Sequence, residues 1–482
     1  MVSQVTRRVR TLLWAAALAA LPLGTGCVAL GHFKADVAKS RDAAVEAWQR
    51  SRAGQQDTLR PTVKGALSLD AAQLFAMGNN KQLLATLQEK EVAAGRLTEA
   101  WSALSPTAAL TASYQRLDKV SSFAAAPGMT IAMGSVNNYA LNLELQQPIF
   151  SGGAIQAGIR AARVYALMAD EQVRTAVQGV LFQTRKVYFD VLLATELVKV
   201  SESDLDLARR HLADVEKKLK AGTAKEFDVL RSRVEITNIE AELIGRQNAA
   251  RVAAASLLRI LGVAQDSQVA LSGKLEHQPL RPELDAAVTQ AFRQRPELLL
   301  AELAIRLQNE MVGVARAGWF PMLSVFFTQT YAKPDPRSPT SIKWGDAWTA
   351  GGNAAWTIFD GFKTSARVRQ ERAKLRQQEI GLMDTEEQVL LEVQQALLTI
   401  EDAEKLVLSQ SANIERAREG LRLAEVGYRA GVTSEVEVLD ARQALSKAQA
   451  LHYQALYAHM MARLLLEKAT GVLEPPGKGD QK

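Results

Sequence analysis

Ile149-Phe150-Ser151-Gly152 returns as Ile358-Phe359-Asp360-Gly361, and the register set there, an offset of 209, holds as far as Gly262-Val263 and Gly471-Val472. Ala221-Gly222 maps onto Ala430-Gly431, Val229-Leu230 onto Val438-Leu439, and Arg233 onto Arg442. Upstream, Leu69-Asp70-Ala71-Ala72 matches Leu284-Asp285-Ala286-Ala287 and Pro106 matches Pro321, now at an offset of 215. One length change of six residues therefore lies between Pro106 and Phe150, where a loop absorbs it. A register kept without a gap over about 115 residues means that position along a rigid element matters. Repeats this long are duplicated halves of one architecture, well beyond solenoid units of ~20–50 residues.

The dominant element of each half is a helix. Val173, Val177, Val180, Thr184, Val187 and Val191 open a 4-3 spacing that runs unbroken to Leu219. Its copy runs from Val389 through Val393, Ala396 and Ile400 to Tyr428, with Gln410 as the one polar position. Strict heptads mark a coiled-coil seam. From about Ala154 to Ala221 such a helix is roughly 100 Å long at ~1.5 Å per residue. Gly222 ends it, the residue best suited to the left-handed conformation of a tight turn. Shorter helices return over about Lys225 to Leu261 and Ser434 to Thr470, each half the long arm. Helices over Leu69 to Leu104, capped by Ser68, and over Leu284 to Trp319 supply the remainder, so two short helices end to end match one long one.

Between these helices lie alternating stretches. Ala108, Leu110, Ala112 and Tyr114 oppose Thr107, Thr111 and Ser113; Tyr139, Leu141, Leu143 and Leu145 oppose Asn142, Glu144 and Gln146, until Pro148 and Gly152-Gly153 end the run. In the second half Leu323, Val325 and Phe327 oppose Ser324, Phe326 and Thr328, and Trp348, Ala350, Ala354, Trp356 and Ile358 oppose Thr349, Asn353 and Thr357. These predict four strands with one apolar and one wet face, joined by loops at 116–137 and around Pro334, Pro336 and Pro339. Each is near the ten residues a bilayer-crossing strand needs, and Tyr114, Tyr139, Tyr331, Trp344, Trp348 and Trp356 gather near the strand ends as interfacial aromatics do. Four strands cannot close a membrane barrel, whose smallest form has about eight, so the chain must oligomerise.

The N-terminus reads as a secretory signal peptide: Arg7, Arg8 and Arg10, then an apolar run from Leu12 to Leu23, then small residues up to Gly26-Cys27. Cys27 is the only cysteine, and its place suggests a lipoprotein cleavage site with Cys27 lipidated, the alternative being an unmodified cysteine beside an ordinary signal-peptidase cut; Gly24 stands where a lipobox usually has an aliphatic residue. One acyl cluster anchors a chain to lipid without spanning it. The formal charge is +6, of which the leader arginines supply three, and acidic and basic residues alternate along the helices as on solvated faces. No clustered basic patch points to nucleic acid. The boundaries follow: signal peptide 1–26, an extended N-terminal arm with a lipid anchor 27–66, first repeat 67–265, linker 266–282 with a short strand at Val269 to Leu271, second repeat 283–472, and a disordered tail 473–482.

This order of leader, helix, strand pair, long helix and return helix, given twice, resembles the TolC-like outer-membrane efflux family over about 67–472. The residues that carry the resemblance are Pro148 to Gly153 with Thr357 to Gly361, and the tip Tyr428-Arg429-Ala430-Gly431 followed by Glu437-Val438-Leu439-Asp440-Ala441-Arg442. It implies a mixed α and transmembrane-β fold, in which a homotrimer forms a twelve-strand barrel in outer-membrane lipid on a long α-helical coiled-coil barrel in the periplasm. It further implies a periplasmic adaptor and an inner-membrane pump of the RND or ABC type, serving efflux or type I secretion. Lipidation at Cys27 would fit its lipoprotein branch. By position, Glu437 and Asp440 become acidic rings at the periplasmic gate, Tyr428 a gating aromatic and Asp228 its partner from the first copy. The turns at Gly222-Thr223 and Gly431-Val432 become adaptor-docking tips. At i and i+3, Glu437 and Asp440 share a helix face, so threefold symmetry gathers six carboxylates; the bland alternative is a solvated acidic pair. Two departures stand out: Thr433 replaces a basic residue found in some members, and Leu219 stands where Tyr428 stands in the second copy, with Lys225 and Glu226 only weak substitutes as latching groups.

The competing reading is a lipid-anchored periplasmic coiled-coil structural or adaptor protein, which leaves the four strands unexplained. An enzyme is not expected: His32, His211, His277, His452 and His459 lack metal-ligand spacing, and no nucleophile elbow or phosphate loop appears, so no cofactor, metal or catalytic residue is assigned.

Overall fold

The computed structural model describes residues 30–52, 65–126, 128–265, 267, 269–338 and 340–476. The leader and Cys27 lie outside them. Two compact units result, residues 1–63 with 263–268, and residues 64–262 with 269–482. In the first, α1 (Leu30–Arg52) replaces the expected extended arm. Residues 36–50 are exposed all round, so no apolar stripe advertises the helix; good helix formers and i,i+4 pairs such as Glu46–Arg50 sustain it.

The second unit carries the duplication. Its first half runs β1 (Ala66–Leu67), α2 (Leu69–Asn79), α3 (Lys81–Ser102), β2 (Thr107–Arg116), β3 (Ser121–Ala126), β4 (Met129–Met133), β5 (Asn137–Ser151), α4 (Ala154–Lys220) and α5 (Glu226–Leu261). Its second runs β6 (Ala270–Leu271), α6 (Leu284–Gln294), α7 (Pro296–Arg316), β7 (Met322–Lys333), β8 (Gly345–Ala355), α8 (Lys363–Ala430) and α9 (Glu435–Ala469). β1 and β6 pair in parallel, tying the two halves together at the start of each.

Both helices expected to be continuous are broken, for legible reasons. Asn80 leaves the helical region and its side chain caps α3 through the Gln82 and Leu83 N–H groups, while its amide donates to Ile260 O at 3.0 Å. In the second half Pro296 forces Arg295 into extended backbone and then opens α7 from its first turn. The long helices match expectation, at 67 residues for α4 and 68 for α8. Every heptad position named above is buried or half-buried. α4 packs on α5, α7 and α3, and α8 on α9 and α7, so the short pairs do lie along the long arms. One core joins Ala287, Ala291 and Leu298 to Val393, Ala396, Ile400 and Leu466. A second, near the turn, joins Leu421 to Val438 and Leu445 with Tyr428 packed against it.

The four main strands form one antiparallel sheet in the order β2-β5-β7-β8. Pro148 does not end β5: the strand continues to Ser151, and a register shift between Pro148 and Phe150 absorbs the missing N–H. Trp356 and Ile358 lie past the end of β8, where Trp356 Nε1 donates to Trp319 O. The predicted loop at 116–137 contains the hairpin β3–β4, whose small residues give little alternation to read. Register puts Leu110, Leu143, Leu145, Phe327, Tyr331 and Trp348 on one face, and Thr111, Asn142, Glu144, Thr328, Thr330 and Thr349 on the other. At the loop end Trp344 stacks on Tyr331 at 5.0 Å and lies 6.0 Å from Tyr139, which neighbours Tyr114. No helix of the described residues is long and apolar enough to cross a membrane.

Candidate gate at the helical tips

Each long helix turns through a left-handed glycine. Gly222 has φ 75° and Gly431 φ 77°, and the next amides fold back onto the helix, Thr223 N to Lys218 O at 2.8 Å and Val432 N to Gly427 O at 2.9 Å. The returning helices then start on carboxylates. Asp228 Oδ2 accepts from Lys225 N at 3.1 Å, and Glu437 Oε2 accepts from Ser434 N at 2.7 Å while Ser434 Oγ caps in return. Asp228 and Glu437, both read as gate residues, thus occupy equivalent capping positions. The structure exposes Glu437 and Asp440 together on the face of α9 opposite buried Val438 and Leu439. It does not bring Glu437 to Tyr428.

Tyr428 meets other groups. Lys218 Nζ donates to Tyr428 O at 2.6 Å and sits 3.5 Å from the ring centroid, and the His211 ring lies 5.5 Å away. Burial first, then the Glu435 and Asp228 carboxylates, push the Tyr428 phenol well up, so it stays neutral. Buried Glu435 is the hub: it accepts from Ser232 Oγ at 2.7 Å and pairs with His211 Nε2 at 2.8 Å, joining α4, α5 and α9. Burial pushes its carboxyl up, but the bonds from His211 and Ser232 outweigh that and hold it below the usual range. Two turns further on, buried Arg442 reaches Asp204 and Glu235, each at 3.2 Å. Its copy Arg233 makes an exposed pair with Glu216 instead. Within one chain the two hairpins are therefore joined through His211, Ser232, Lys218 and Arg442.

Sequence reasoning missed Glu435, because an acid in a helix's first turn reads as a dipole partner. The one available signal was asymmetry: Glu435 and Arg442 face partners whose repeat counterparts differ in type, as Asn413 does for Asp204 and Ala444 for Glu235.

Comparison with known proteins decides the family. The profile of outer membrane efflux proteins matches residues 75–263 and 287–472, most of the chain and both halves of the duplication. The chain belongs to the outer membrane efflux protein family. It is an outer-membrane channel of the kind used in efflux and secretion. It is 26% identical to the pyoverdine export outer membrane protein OpmQ of Pseudomonas aeruginosa over 467 residues, covering 94% of this chain and 96% of that one. It is 23% identical to the alkaline protease secretion protein AprF of the same organism, covering 85% of each. In fold it is similar to the Campylobacter jejuni CmeC outer membrane channel, with a TM-score of 0.72 at 19% identity over 84% of this chain and 85% of that one.

Proposed function

We propose that three copies assemble into one duct, their sheets closing a twelve-strand barrel in the outer membrane and their helices a tunnel below it. The observation that carries this reading is the two-faced sheet. Its apolar face suits lipid, its Thr- and Asn-rich face suits water, and the outer edges of β2 and β8 have no partner among the described strands. Open edges are untenable in hydrocarbon, so β8 of one copy pairs with β2 of the next. Three fourfold contributions match the even strand number of such barrels.

The tips then meet a periplasmic adaptor, which links the duct to an inner-membrane pump. Gly222, Thr223, Gly431 and Val432 are accompanied there by exposed Phe227, Leu230 and Val436, an apolar surface suited to a protein partner. Glu437, Asp440, Tyr428 and Asp228 set the constriction beside them, and lipid on Cys27 anchors the N-terminus. The two relatives are named for pyoverdine export and for alkaline protease secretion, so cargo is left to the pump. Mass measurement of the detergent-solubilised protein should give a trimer, with cysteines placed on β2 and β8 cross-linking between chains. A stable monomer retaining its full β content would defeat the proposal.

A further inference from the structure

Far from the tips in sequence, three donors converge from three elements. His277 comes from the segment between the repeats, Glu404 from α8 and His459 from α9. His277 Nε2 lies 2.6 Å from one Glu404 oxygen and His459 Nε2 lies 3.1 Å from the other. All three ligand atoms fall within 4.8 Å of one another, and the imidazoles sit edge to face. His459 is fully buried; its Nδ1 finds no hydrogen-bond partner among the described residues, and Nε2 is the nitrogen turned to Glu404. His277 and Glu404 each keep about a fifth of the side chain exposed, which leaves a way in.

Two imidazoles and a carboxylate form the donor set of three-ligand zinc sites, in which water completes a tetrahedron. Donors at ~2.0–2.1 Å from one ion stand roughly 3.3 Å apart, so these side chains reach that geometry with ångström-scale rotations. The set carries a single negative charge when both rings are neutral, enough to bind a dication with help from the water ligand. Nothing in the conduit reading uses these residues. We propose that His277, Glu404 and His459 bind one divalent transition-metal ion per chain, zinc(II) by donor type, clamping the inter-repeat segment onto the α8–α9 hairpin. Glu404 Oε1 also accepts from Leu280 N at 3.0 Å, which fixes the carboxylate while the segment passes over it.

The test uses tag-free full-length protein in detergent, stripped with chelator and titrated with zinc chloride, with magnesium as the control. One zinc should bind per chain at micromolar or tighter affinity and raise the melting temperature by several degrees, while magnesium does neither. His277→Ala and Glu404→Gln, both at partly exposed positions, should each weaken zinc at least tenfold while the stripped proteins still melt cooperatively. Cobalt(II) put in place of zinc should give the visible absorption of a low-coordinate nitrogen and oxygen site. Absence of saturable binding at one per chain, or binding unchanged in both variants, would reduce the cluster to a hydrogen-bonded histidine–carboxylate contact.

Discussion

Glu435 stands one residue past the cap of α9, yet it is almost wholly buried and holds three helices together. Removing its charge leaves buried Ser232 and half-buried His211 without the carboxylate they share. Losses of that kind cost about 3 kcal/mol for a buried charged hydrogen bond. Glu435→Ala should therefore lower the melting temperature by several degrees, measured by circular dichroism at pH 7, whereas Glu437→Ala, which removes an exposed cap, should cost about 1 kcal/mol. The pH dependence has a definite sign. The folded carboxyl ionises below its usual value, so the unfolded chain takes up its proton first as pH falls. The contribution is complete above the ordinary glutamate range near 4.5 and is lost as acid titrates the group through its lower folded value. Melting curves of wild type and Glu435→Gln should differ most above that range and draw together as pH falls below it; a difference that does not shrink with falling pH would remove Glu435 from the latch.

At the scale of elements, the sequence was legible wherever a period ran long. The heptads of α4 and α8 were readable because burial repeats along the helix, and the alternation of β2, β5 and β7 because apolar and polar residues fall on opposite faces of the paired strands. α1 was not, since a helix exposed all round has no period, and β3–β4 was not, since serine, alanine and methionine alternate weakly. Pro296 was a visible break that a continuous-helix reading overran. Glycine at the turns was read correctly, and its geometry makes a sharp test. At φ near +75° a Cβ costs about 1–2 kcal/mol, and proline cannot enter at all. Gly431→Pro also removes the amide that bonds Tyr428 O. Gly222→Val and Gly431→Pro should still assemble and insert, because the sheet is far from the turns, yet export should fall sharply in cells. Unchanged export in both would move adaptor docking away from the tips.

Across the whole assembly, the proposed gate depends on what three copies of one face do together. In a single chain Glu437 and Asp440 are exposed and lack a buried partner's geometry, as either a ring residue or a solvated acid would be. The pairings distinguish the two carboxylates. Glu437 is bonded to Ser434 N and Oγ, so part of its charge is spent on the start of α9; Asp440, one turn on, carries no such bond among the described residues. Coulomb repulsion between unit charges at ~4 Å is about 4 kcal/mol at an effective dielectric near 20, so six carboxylates near one axis should dominate ion passage. Glu437→Gln keeps a capping side chain, and Asp440→Asn is isosteric, so the double variant should melt within about 1 kcal/mol of wild type. In planar bilayers it should lose cation selectivity and block by divalent or trivalent cations, with Asp440→Asn alone losing more than Glu437→Gln alone. Conductance is a separate matter, because Lys218 on Tyr428 and His211 on Glu435 still hold the hairpins together. Wild-type selectivity and cation block in the double variant would put both carboxylates on the outside of the tunnel.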